Sequence, residues 1–317
     1  MKILFMGTPE FAVPSLAALL ERGYEVAAVV TQPDRPKGRK RELTPSPVKV
    51  FALERGLPVL QPEKLRSPEG VAAVAEIAPD LIVTAAYGQI LPKPVLDLPR
   101  LGCINVHGSL LPRYRGGAPI QRSIMNGETV TGVTLMYMAE GLDTGDMIAK
   151  VEVPIRDEDT AGTMFEKLSA AGAGLLTEWL PKIEDGTAGR TPQADDEATY
   201  APNLSREDEK LDWGQGSRRI YDRVRGLHPM AGGFTYLDGE VFKVWGCAIP
   251  RPSDADLRPE WAAFAPGAVL ETGAFGIRVR TGDGSIVLTD VQPAGKKALK
   301  AAEFAKGARL APGTMLG

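Results

Sequence analysis

The chain has 317 residues, more than a single hydrophobic core usually holds, so two domains are expected. Its 44% hydrophobic and 24% charged residues exclude a disordered chain. Two isolated cysteines, Cys103 and Cys247, exclude a disulfide framework or a cysteine-built zinc site and point to a reducing compartment.

The net charge of −3 is unevenly spread: residues 1–204 carry 21 Lys and Arg against 26 Asp and Glu, and residues 205–317 carry 16 against 14. A mildly basic second part is a faint footprint of a nucleic-acid partner. The start, MKILFMGTPEF, reads as a strand and turn rather than a secretory signal, and no window has the apolar length that spans a bilayer. A cytoplasmic protein with no membrane partner is expected.

In chain order, KILFM (2–6) is a buried strand, followed by a helix over 12–22 that Gly23 stops and by the strand YEVAAVVT (24–31). PDRPKGRKRELTPSP comes next. It packs Arg35, Lys37, Arg39, Lys40 and Arg41 between Pro and Gly, so a basic loop without regular structure is expected. Ser46-Pro47 opens a helix, with Pro at the first helical position.

Then come the short strand LPVL, a helix near 69–78, the strand DLIVTAAYG (80–88), a short helix near 92–96 and the strand GCINVHG (102–108). Apolar strands alternating with helices predict a doubly wound α/β domain with a parallel sheet covered on both faces. Two further strands flank the Gly/Asp-rich GLDTGD within residues 131–155, and a helix over 160–182 closes the domain.

Residues 184–204 are rich in turn formers and poor in hydrophobic pattern, so the linker is placed there, between a domain of residues 1–183 and one of 205–317. After a helix near 215–226, five short strand candidates predict a small antiparallel β-barrel or sandwich, with an OB-like barrel fitting the count.

Candidate chemistry concentrates in CINVHGSLLPRYRG (103–116). Asn105 and His107 stand two apart on a strand, so they share a face, with Cα atoms about 6.5–7 Å apart. Near the carboxyl end of a parallel strand, where open α/β sheets bind ligands, an amide N–H and an imidazole N–H can converge on one oxygen. Cys103, four residues before His107, lies about 13 Å from it, too far for a Cys–His nucleophile pair, and reads as a small buried residue.

GLDTGD offers Asp143, with Asp146 able to share or replace its role, as a carboxylate to orient His107; a turn carboxylate bonding its own backbone is the competing reading, the weaker one for Asp143 and the stronger one for Asp146. Asp-Thr-Gly alone does not make an aspartic protease, which needs a second such element. Gly7 in GTPEF fits an anion site or a tight turn, but G-x-G-x-x-G is absent, which disfavours a dinucleotide oxidoreductase. No ligand cluster for a metal is visible.

HGSLLPRYRG with Asn105 upstream and GLDTGD downstream resembles the formyltetrahydrofolate-dependent formyltransferases. MKILFMGTPEFA, TQPDRPKGR, PSPVK, AAYGQILP and TGVTLM extend the resemblance through most of residues 1–182, and LDW and QPAGKKAL carry it into the second domain. The basic loop and these later segments resemble the branch whose acceptor is methionyl initiator tRNA.

The resemblance implies a Rossmann-like catalytic domain and formyl transfer from 10-formyltetrahydrofolate to that tRNA's free amine; no metal is expected, because the sequence shows no ligand cluster. Asn105 and His107 would stabilise the oxyanion, and Asp143 would assist proton transfer. Ser109, Leu110, Leu111 and Pro112 would meet the folate, whose pterin edge would bond backbone near Tyr87–Ile90 and Ala139–Asp143. Arg39, with Lys40 and Arg41, would reach the tRNA acceptor stem. The second domain would be an accessory RNA grip, with Lys243, Arg278, Arg280, Lys296 and Lys297 as candidates.

Arg113 and Arg115 continue the signature but fit structural turn charges equally well. A monomer is expected. Two other readings compete: a formyltransferase acting on a nucleotide-linked amino sugar, which has no use for the basic loop, and a non-catalytic RNA-binding protein on the same scaffold, which has no use for the polar trio.

Overall fold

The structure is a computed structural model that describes residues 1–37, 42–250 and 258–317. The chain divides into two compact units. One comprises residues 1–119, 130–154 and 165–202, and the other residues 120–129, 155–164 and 203–317.

The first unit is built on β1 (Lys2–Gly7), β2 (Glu25–Val30), the short pair β3 (Arg35–Lys37) and β4 (Glu42–Thr44), β5 (Val59–Leu60), β6 (Leu81–Ala85), β7 (Cys103–His107), β8 (Val130–Tyr137) and β9 (Met147–Pro154). Its helices are α1 (Val13–Glu21), α2 (Pro47–Glu54), α3 (Pro68–Ile77) and α4 (Lys93–Leu96). Two more helices, α5 (Pro119–Met125) and α6 (Ala161–Glu184), belong to both units along their lengths.

The sheet order is β5-β2-β1-β6-β7-β8-β9. The first five strands run parallel, as expected, whereas β8 and β9 pair antiparallel. Ile3, Leu4, Phe5 and Met6 of β1 are fully buried, as are Leu81, Ile82 and Val83 of β6, which is why these strands read as unbroken apolar runs. Ser46 and Ser67 cap α2 and α3 by accepting from Lys49 N and Gly70 N at 3.1 Å each, with Pro next in line.

Gly7 settles as a packing glycine. A Cβ there would meet Ala12 Cβ at 2.6 Å and Ala85 O at 3.0 Å, so the turn after β1 closes only without a side chain. The arms of the basic loop, expected to lack regular structure, pair as the ribbon β3–β4, with Arg35 opposite Thr44.

The second unit contains α7 (Arg206–Glu209), α8 (Ser217–Leu227), β10 (Gly233–Leu237), β11 (Glu240–Ala248), β12 (Val269–Gly273), β13 (Gly276–Arg280), β14 (Ser285–Pro293), β15 (Leu299–Lys300) and α9 (Ala301–Ala308). Its antiparallel sheet runs β10-β11-β14-β13-β12, with β15 beside β14, around a core that includes Trp213, Phe242, Val244, Ile277 and Leu288. The five expected strands are present.

Residues 191–201, expected as linker, are hydrogen-bonded into the first unit. Thr191 and Met147 exchange backbone bonds at 2.9 and 2.8 Å, Arg115 N–H donates to Thr199 O at 2.8 Å, and Ala201 N–H donates to Arg115 O at 2.7 Å. Among the described residues, no helix is long and apolar enough to cross a membrane.

Candidate active site at the carboxyl edge of the sheet

Asn105 and His107 end β7, where the sheet changes from parallel to antiparallel pairing. Asn105 lies opposite Thr84 on β6, and His107 lies opposite Thr134 on β8. The Thr84 hydroxyl is 2.9 Å from Asn105 Oδ1 and 3.1 Å from Ile104 O. When Thr84 donates to Oδ1, the carbonyl end of the amide is occupied and Nδ2 is the end presented as a donor.

His107 is buried, and its Nε2 lies 3.2 Å from Tyr114 O. A carbonyl only accepts, so Nε2 carries the hydrogen and Nδ1 faces Asp143, whose Oδ1 is 3.7 Å away. That separation is an ion-pair distance, longer than a hydrogen bond. The other carboxylate oxygen of Asp143 accepts from Gly116 N–H at 2.8 Å.

Gly116 has φ +125°, and a Cβ on it would stand 2.7 Å from Ala201 O, so only glycine brings this N–H to the carboxylate. Of the two candidate aspartates, Asp143 is the one at His107, while the Asp146 backbone carbonyl accepts from Tyr137 N–H at 2.8 Å. The sequence suggested an imidazole N–H converging with the amide of Asn105; here Nε2–H is engaged by Tyr114, and Nδ1 is the nitrogen on the Asp143 side.

The loop after His107 is pinned from within. Thr134 Oγ1 donates to Ser109 O at 2.7 Å and accepts from Leu111 N–H at 3.0 Å, Ser109 Oγ donates to Arg113 O at 2.8 Å, and Lys150 Nζ donates to Leu111 O. Ser109 and Leu111 are fully buried, and Leu111 packs with Met136 and Met147. Their side chains therefore set the loop's shape, and Pro112 is buried with them, leaving Leu110 the most open of the four.

Near Tyr87–Ile90, the Tyr87 carbonyl already accepts from Thr8 Oγ1 at 2.8 Å, and burial pushes the Tyr87 phenol up to about 12. Ile90 and Leu142 are exposed. Lys93 Nζ, 3.3 Å from Glu140, ties together the two turns that carry them.

The cations divide sharply. Arg39, Lys40 and Arg41 lie outside the described residues. Arg115 is buried and bonded to Gln193 and Asp195, which makes it structural, whereas Arg113 is exposed. In the second unit three of the five RNA-grip candidates are engaged internally: Arg278 is buried against Glu271 at 2.9 Å, Arg280 donates to Thr281 O and Gly284 O, and Lys243 donates to Ala231 O. They hold turns and strands of that unit together, which sequence spacing does not reveal; Lys296 and Lys297 are exposed.

Cys103 is buried, with Sγ 3.7 Å from Val95 O and from Leu96 O, and burial raises its thiol to about 12. Among the described residues, no three His, Cys, Asp or Glu side chains group as metal ligands.

Sequence reasoning missed Thr84 and Thr134, which hold Asn105 and the Ser109–Pro112 loop. Both sit inside strands, where a threonine reads first as a β-former; the signal lies only in its register opposite a polar residue.

The family described as "Formyl transferase" matches residues 1–180, and "Formyl transferase, C-terminal domain" matches residues 203–309. Methionyl-tRNA formyltransferase of Geobacillus thermodenitrificans (strain NG80-2) is 56% identical over 319 residues, covering 99% of this chain and 97% of that protein. The enzyme of the same name from Bacillus subtilis (strain 168) is 52% identical over 318 residues, covering 100% and 98%.

Among solved structures, HypX from Aquifex aeolicus in complex with tetrahydrofolic acid superposes with a TM-score of 0.66 at 21% identity, over 96% of this chain and 47% of that one. WlaRD, a sugar 3N-formyl transferase crystallised with dTDP and 5-N-formyl-THF, gives 0.65 at 20%, over 94% and 99%. At such identity these two establish the shared fold.

Proposed function

The chain belongs to the formyltransferase family, and from that premise we propose that it moves the formyl group of 10-formyltetrahydrofolate onto the α-amine of methionyl initiator tRNA, yielding N-formylmethionyl-tRNA for translation initiation. The observation that carries this reading is the full-length identity above 50% to two methionyl-tRNA formyltransferases, joined to a polar trio with the chemistry such a transfer needs.

The amine nitrogen attacks the formyl carbon, a C–N bond forms, and negative charge grows on the carbonyl oxygen. The bond to N10 then breaks, and the proton lost by the amine is delivered to N10. Asn105 Nδ2 donates to the growing oxyanion, a contribution of about 2.7–4 kcal/mol for one well-placed donor. His107 donates to the same oxygen when Nδ1 carries a proton, and the Asp143 carboxylate beside it takes up and relays the amine's proton. No residue becomes acylated, so no activated nucleophile is required.

Ser109, Leu110, Leu111 and Pro112 shape the wall against which the pterin lies, with exposed Ile90 and Leu142 extending it. Arg39, Lys40 and Arg41 neutralise acceptor-stem phosphates, and residues 205–317 add a second RNA contact. The reading includes a cytoplasmic monomer; both cysteines are free, as a reducing compartment leaves them.

The test is direct. Purified protein, 10-formyltetrahydrofolate and methionyl initiator tRNA should yield formyl-methionine after deacylation. No product, together with turnover of an amino-sugar nucleotide, would replace this reading with its nearest rival.

A further inference from the structure

Residues 191–201 bond to both loops of the site, and the segment's one side-chain amide, Gln193, is turned inward. The two Nε2 hydrogens of Gln193 reach Asp143 O at 2.7 Å and Gly145 O at 2.8 Å. Its Oε1 accepts from Arg115 Nε at 3.0 Å, and Arg115, 2% exposed, reaches Asp195 Oδ1 at 2.8 Å. Every polar atom of the Gln193 side chain is thus engaged, and the guanidinium fixes which end of the amide faces the aspartate loop.

The grip falls where the backbone needs it. Asp143 has φ +51°, a left-handed conformation that a non-glycine residue holds only when its surroundings impose it. The same segment holds the other wall of the site: Tyr114 N–H donates to Thr199 Oγ1 at 2.9 Å, while Tyr114 O receives His107 Nε2–H. One stretch of chain therefore bonds the residue on each side of the His107 ring.

We infer that residues 191–201 form a strap in which Gln193, oriented by buried Arg115, is a positioning residue that holds the Asp143 carboxylate against His107 for formyl transfer. This rests on the function proposed above. The amide touches no reacting atom and acts through the backbone that carries Asp143. A misplacement of about 1 Å at such a site costs up to roughly 100-fold in rate.

The test combines kinetics with a measurement on the resting protein. Gln193→Ala should lower kcat for formyl transfer roughly 10- to 100-fold while KM for folate and for tRNA change less than about 3-fold. Arg115→Lys keeps a charge for Asp195 but loses the Nε–H donor; it should lower kcat similarly, and adding it to Gln193→Ala should cost little more, because both act on one chain of bonds.

Independently of activity, the chain has only two histidines, so imidazole 15N spectra resolve His107 against His228 as an internal reference. In Gln193→Ala the His107 signals should move and those of His228 should hold. Unmoved His107 signals, or unchanged kcat with only a lowered unfolding temperature, would overturn the strap. Failure of the parent protein to transfer formyl would instead remove the proposed function, and the spectra would still decide the strap.

Discussion

Thr84 and Asn105 are register partners on adjacent parallel strands, and the Thr84 hydroxyl stands 2.9 Å from Asn105 Oδ1. Asn105 can present either end of its amide to a substrate, and only the NH2 end stabilises negative charge. Thr84→Val keeps shape and burial while deleting the proton that selects that end. The variant should remain folded, lose about 1–3 kcal/mol of stability for the unpaired Oδ1, and drop in kcat by about 10-fold. A full-rate variant would mean that the hydroxyl serves Ile104 O instead.

Asn105→Ala and His107→Ala remove the two donors proposed for the oxyanion. Each should cut kcat at least about 100-fold with the far-ultraviolet spectrum unchanged, since losing one such donor is worth about 2.7–4 kcal/mol. Rates near the parent's in either variant would take that residue out of the mechanism.

Much of this site was legible because it is local in sequence: an amide and an imidazole two apart at a strand end, with Gly-Asp turns downstream. The parallel core was legible because strands buried on both faces show continuous apolar runs, as β1 and β6 do. What escaped was written in hydrogen bonds. Residues 191–201 dock by backbone ladders and by Gln193, so they bury little apolar surface and read as linker. The antiparallel course of β8 and β9 is likewise invisible in their composition, which suits either direction. Arg278 and Arg280 looked like free surface charge until Glu271 on the neighbouring strand and the Thr281 and Gly284 carbonyls of the next turn supplied partners.

The basic loop gives a separable prediction. Replacing Arg39, Lys40 and Arg41 together by Ala should raise KM for tRNA and flatten its salt dependence, by about one in the log–log slope for each phosphate left without its cation. Folate KM should stay within about 2-fold. Equal losses for folate and tRNA would contradict an RNA role for these three residues.

Cys103 shares β7 with Asn105 and His107, so it is the residue on which a covalent mechanism would rest. Its thiol is raised to about 12 by burial and, less, by the Asp97 charge. Because the shift is upward, the thiol stays protonated in the folded protein below that value, and the thiolate fraction at pH 8 is on the order of 10⁻⁴. In the unfolded chain the same group ionises near its ordinary value of about 8.5, so from there to about pH 12 rising pH favours unfolding. Native protein at pH 8 should therefore resist iodoacetamide at Cys103 at least about 100-fold better than protein in denaturant, read by mass spectrometry of the peptide, and Cys103→Ala should keep formyl transfer within about 3-fold of the parent. Rapid alkylation of the native thiol that abolishes transfer would reinstate cysteine chemistry at this strand.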